Sequence, residues 1–101
     1  EYNELTSEVI IVAPSKFSLA QNYPNPFNPA TVISYQLPAA GFVSLKVYDI
    51  SGREVSSLVN EVKNAGYYNV SFDAKNLSSG TYFYKLSTDK FSDVKKMVLV
   101  K

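Results

Sequence analysis

Three features of this sequence predict an all-β fold, an antiparallel β-sandwich of about seven strands. Apolar and polar residues alternate with a period of two in segment after segment. Turn signals built on Gly, Pro, Asn and Asp recur at a spacing of roughly 8–12 residues. No stretch keeps a helical period of about 3.6 residues. At 101 residues the chain fits one domain with one core.

The elements follow in order. Residues 1–12 begin polar and end in the apolar run Val9-Ile10-Ile11-Val12, a strand continued from an upstream domain or a linker, and Pro14 breaks it. Phe17 to Gln21 is a short candidate strand. Tyr23-Pro24-Asn25-Pro26-Phe27-Asn28-Pro29 is a stiff, non-helical arm, close to polyproline II in part, whose Tyr23 and Phe27 should pack. In the next strand Ile33, Tyr35 and Leu37 alternate with polar residues until Pro38. Val43, Leu45 and Val47 mark a further strand, closed by the tight turn Asp49-Ile50-Ser51-Gly52, where glycine permits a positive φ. From Arg53 to Val59 the pattern is weaker, and Val55 and Leu58 break the alternation in a way that suggests a bulge.

Asn64-Ala65-Gly66 is another turn, after which Tyr68, Val70 and Phe72 alternate. A loop at 76–80 precedes the strand of Tyr82, Tyr84 and Leu86, and Thr88-Asp89-Lys90 is a short hairpin turn. Phe91 to Lys101 is the last strand, apolar near its end at Met97-Val98-Leu99-Val100. The pattern is that of an immunoglobulin-like sandwich, without the Cys and Trp of an antibody domain. Tyr82, just after a Leu-x-x-Gly corner, is the candidate tyrosine corner, with Tyr84 or a plain core role as the other reading.

Composition narrows the function. Hydrophobic residues at 46% and charged residues at 19% exclude a disordered chain. The absence of Cys and His removes disulfides, thiolate ligands and the commonest general base. A net charge of +1 gives no field for nucleic acid, and no apolar run approaches the ~20 residues of a membrane helix. Asp49, Asp73, Asp89 and Asp93 fall at strand ends, where Asp suits turns, so no acid pair faces one cleft. Asp73 and Asn76 flank a loop, but a bonded turn explains them better than calcium. The chain is therefore expected to be no enzyme and to need no cofactor or metal.

Of the eight tyrosines, Tyr35, Tyr68, Tyr82 and Tyr84 point with the aliphatic residues, as core positions do. Tyr48, Tyr67, Phe42 and Phe83 point with the polar residues, either as a surface interaction patch or as cross-strand pairs. Asn69-Val70-Ser71 and Asn76-Leu77-Ser78 fit the N-glycosylation triplet, which matters only in a glycosylating cell. Glu1 carries neither Met nor a signal region, so the chain reads as a piece of a longer protein. The last strand, Lys95-Lys96-Met97-Val98-Leu99-Val100-Lys101, is either an ordinary closing strand or one offered to a receptor.

Four segments in order carry a family resemblance: Asn22 to Thr31 with its PNPFNP core, Val47 to Val55, Leu77 to Tyr84, and Lys95 to Lys101. Together they resemble the type A C-terminal sorting domain of type IX secretion system cargo, from the Bacteroidetes group. The middle motifs are also similar to an immunoglobulin-like module of flagellar hook-capping proteins. The resemblance covers about Phe17 to Lys101 and implies a non-catalytic seven-stranded sandwich appended to secreted enzymes or adhesins. It implies reading by the outer-membrane translocon, a last strand needed for export, and in many members removal by a surface sortase-like protease. The cargo would then be secreted or held at the cell surface on anionic lipopolysaccharide. The family's Trp-Asp appears here as Phe72-Asp73.

The expected division is 1–16 as a linker or extension from upstream cargo and 17–101 as the sorting domain, with any cleavage between Glu1 and Lys16. The resemblance assigns translocon recognition to Lys95, Lys96, Met97, Val98, Leu99, Val100 and Lys101. The positions that shape the fold are Pro24, Asn25, Pro26, Asp49, Gly52, Gly80 and Tyr82. Strand addition to a receptor's sheet edge is the physical mode this suggests. An accessory carbohydrate-binding or adhesive module of an extracellular enzyme, with an exposed aromatic row, is the alternative; a plain spacer is the third reading.

Overall fold

The computed structural model describes residues 13–101, so the Val9–Val12 run lies outside the described residues. Seven strands follow one another: β1 (Ser18–Leu19), β2 (Ala30–Leu37), β3 (Gly41–Tyr48), β4 (Glu54–Lys63), β5 (Gly66–Asp73), β6 (Gly80–Ser87) and β7 (Ser92–Leu99). They form two antiparallel sheets, one ordered β1-β2-β5 and the other β4-β3-β6-β7. The alternation read from the sequence sets which side faces in. Ile33, Tyr35 and Leu37 of one sheet meet Val43, Leu45, Val47, Tyr84, Leu86, Met97 and Leu99 of the other, all essentially buried.

The weak pattern of β4 has a local cause. Its pairing with β3 slips twice, Leu45 opposing Val59 while Lys46 opposes Ser57, and Val47 opposing Ser56 while Tyr48 opposes Glu54. The extra residues are Leu58 and Val55, and both bulges turn a consecutive apolar residue toward the core. β4 also runs on to Lys63, because Gly41 to Ser44 continue opposite its polar end. β1 is shorter than the alternation from Phe17 suggests, and the last strand runs from Ser92 to Leu99. The stretch at 23–29 is no polyproline rod: it bends at 24–26 and again at 28–29. Phe27 is buried, but Tyr23 is 81% exposed, since its backbone pairs with Val32 on the outer side of β2.

Two buried tyrosines contrast sharply. The Tyr84 hydroxyl accepts from Asn22 N–H at 2.7 Å and donates to Ala20 C=O at 2.7 Å, tying the chain before the proline arm to β6. The Tyr35 hydroxyl is buried without a partner among the described residues, its ring stacked on Tyr68 at 5.1 Å. Burial pushes both phenols up to about 12, assisted at Tyr35 by Tyr68 and Glu61 and opposed at Tyr84 by the Asn22 bond.

Tyr84→Phe is expected to lower stability by ~1–3 kcal/mol, because it orphans the buried N–H of Asn22 and the partly buried C=O of Ala20. Tyr35→Phe should leave stability unchanged or raise it, since its hydroxyl has no bond to lose. Urea unfolding midpoints distinguish the two. Both folded phenols titrate near 12 and an unfolded tyrosine near 10. Their contribution is therefore complete below pH ~10 and is lost as pH rises toward 12. Tyr35→Phe should make that alkaline decline shallower.

Candidate functional site

β7 is one of the two edge strands of the four-stranded sheet, with β4 at the other edge. Met97 and Leu99 point into the core, while Val94, Lys96 and Val98 point outward. Asp93 and Lys95 lie on the core side of the strand's first half, half-buried, and inward charges of this kind discourage a neighbouring strand. From Lys96 onward the free edge is covered by the proline arm. Lys96 C=O accepts from Gln21 Nε2 at 2.7 Å. Val98 N–H donates to Asn25 Oδ1 at 3.0 Å, and Val98 C=O accepts from Phe27 N–H at 3.0 Å. Val100 N–H then donates to Phe27 C=O at 2.9 Å. Lys101 is held by its N–H on Ser79 Oγ at 3.0 Å and its Nζ on Lys75 C=O at 2.6 Å.

Proline supplies no N–H, so the arm offers few donors and needs help from its neighbours. Phe27 anchors it, its ring against Phe72 at 6.2 Å. Asn22 organises the entrance: its Nδ2 donates to Pro24 C=O at 3.1 Å and to Thr31 Oγ1 at 3.0 Å, and Thr31 donates to Pro24 C=O at 2.8 Å. Asn22 and Thr31 are both 2% exposed. Both lie within the Asn22 to Thr31 motif, but no periodic pattern in the sequence marks them. A short polar residue on either side of a proline-rich stretch is the signal that identifies such a hub.

The remaining motif positions lie at the same end. Asp49 Oδ1 accepts from Ser51 N–H, Ser51 Oγ and Arg53 N–H at 2.9, 2.6 and 3.0 Å, and Oδ2 accepts from Arg53 Nε at 3.1 Å. The Ser51 hydroxyl, then the two backbone bonds and the Arg53 charge, hold this carboxyl below its usual range. Gly52 closes the turn at φ 90°, a conformation side chains disfavour. Gly80 opens β6, and Tyr82 OH donates to Ser78 C=O at 2.7 Å, the geometry of a tyrosine corner. Tyr68 repeats the device on Asn64 C=O at 2.6 Å, which the sequence reading did not identify. Ala13 to Phe17 enter at the opposite end, where Phe17 stacks on Phe91 at 5.3 Å.

Among the described residues no three acidic groups gather as a metal site. Asp73 Oδ1 accepts Lys75 N–H at 2.9 Å as turn chemistry. The four outward aromatics do not form one patch: Tyr67 lies on the three-stranded sheet, and Phe42, Tyr48 and Phe83 lie on the other. Tyr48 and Phe83 are directly opposed as a cross-strand pair. What this end of the sandwich presents is a last strand hydrogen-bonded along its edge, with Lys96 and Val98 facing outward.

Comparison with known families places the chain. The family model described as a secretion system C-terminal sorting domain matches residues 21–101, and the chain belongs to that family. The domain is a type IX secretion C-terminal sorting signal, and it marks a protein for export to the cell surface or secretion through the outer membrane. Domains of this family are in general non-catalytic. No curated relative and no solved structure matches the chain. Asn25→Ala should speed amide exchange at Val98 while leaving Val100 protected, because Phe27 holds the latter through its main chain; amide hydrogen exchange resolved by residue is the check.

Proposed function

We propose that the type IX translocon reads this domain through the outward side chains of its last strand, within Lys95 to Lys101. The single observation that supports this is the fixed display of Lys96, Val98 and Val100 on a backbone pinned by the proline arm. The same bonds revise the mode of contact. A receptor strand adding alongside Val98 and Val100 would have to displace Phe27, so recognition there runs through side chains rather than main-chain pairing. A sortase-like protease would act upstream of the sandwich, between Glu1 and Lys16. Ala13, Ser15 and Lys16 are exposed and belong to no strand, which suits a cleavage segment.

The strand serves the core as well as the receptor, so its removal confounds the two. Deleting Lys95 to Lys101 from a cargo fusion should abolish export and also unfold the domain, because Met97 and Leu99 leave the core. A variant altered only outward, Lys96→Ser with Val98→Ser and Val100→Ser, should keep the fold by circular dichroism and lower export by about tenfold. Full export of that folded variant would refute recognition by the strand's outer side.

A further inference from the structure

The outer face of the four-stranded sheet carries charge that the fold does not explain. Lys46 on β3 stands directly opposite Lys85 on β6, and Phe83, two residues before Lys85, stands opposite Lys96 on β7. All three lysines alternate with buried residues, so all three face outward, around the half-buried pair Tyr48 and Phe83. The acid on this face is Glu54, already bonded to Lys46 at 3.3 Å. Lys85 and Lys96 are exposed and have no acidic partner among the described residues. Like charges directly opposed on neighbouring strands destabilise a sheet. The outer face of the other sheet is nearly uncharged, with Val32, Ser34, Gln36, Tyr67, Asn69 and Ser71 across it. Of the two outer faces, the one that includes the last strand is therefore the one that carries lysines.

We propose that this face, Lys46, Lys85 and Lys96 around Tyr48 and Phe83, is a docking surface for an acidic protein surface of the export machinery. The inference rests on the sorting reading and extends it beyond the last strand, onto β3 and β6. Charge complementarity selects an acidic partner, and the unfavourable Lys46–Lys85 opposition is relieved when carboxylates settle between them. Tyr48 and Phe83 at its centre are half-buried, which suits contact with a protein surface rather than insertion in lipid.

The test uses the whole cargo fusion with Lys85→Glu, which lies outside the last strand. Export should fall by about tenfold while the urea unfolding midpoint holds or rises, because the new carboxylate faces Lys46. Lys85→Arg should retain export, and Lys90→Glu in the distant β6–β7 turn should behave as wild type. Lys96→Glu supplies a second variant of the same sign. Full export by Lys85→Glu, or equal loss with Lys85→Arg, overturns the proposal. So does a finding that the fusion sediments with phosphatidylglycerol vesicles and that Lys85→Glu abolishes both binding and export, since the occupant is then lipid. If Lys85→Glu exports normally while the outward variant of the last strand does not, this proposal fails and the strand reading stands.

Discussion

An edge strand leaves half its main-chain donors and acceptors facing outward, and each must find a partner or water. Here the constraint falls on β7, and Phe27 answers it. One residue of the proline arm gives its N–H to Val98 and its C=O to Val100, while its ring fills the core against Phe72. The arm leaves β2 after Tyr23 pairs with Val32, crosses to the other sheet, and returns to β2 at Ala30. It therefore joins the two layers along one side. The Asn22 hub and the Tyr84 hydroxyl exist to hold that crossing in place.

Much of this was legible in the sequence, for a physical reason. Alternation reports directly on which side of a strand is buried, so the core residues of β2, β3 and β6 follow from it. The break at Val55 and Leu58 gave the bulges of β4, because an apolar residue out of phase can reach the core only if the backbone slips. Other features left no local trace. β4 continues through polar residues because β3 runs beside it, which is a property of the partner. The arm's crossing between sheets depends on Val98 and Val100, more than 70 residues away in sequence. Tyr23 misleads because an aromatic in a proline-rich stretch looks like an anchor, whereas its neighbour Phe27 takes that role.

The functional residues divide along the same line. The motif positions are recognisable as turn and corner chemistry, Asp49 and Tyr82 bonding main chain that lies close to them in sequence. Asn22 and Thr31 bond each other across the arm, so no periodic pattern exposes them. The lysine face belongs to a third kind. Each lysine looks like ordinary solubilising charge on its own strand, and only register shows Lys46 set against Lys85.

The last strand cannot be a detachable label. Its inner side supplies Met97 and Leu99 to the core, and its edge is bound by the arm, so any signal carried on this strand would share its backbone with sequence the fold needs. That coupling restricts where information for export can vary. Inward positions are fixed by packing and the edge by main-chain pairing, which leaves the outward side chains of β7 and of the strands beside it. A signal written there is displayed only when the sandwich has formed, so folding and presentation are one event. Ala13 to Phe17 lie at the opposite end of the sandwich, where Phe17 stacks on Phe91.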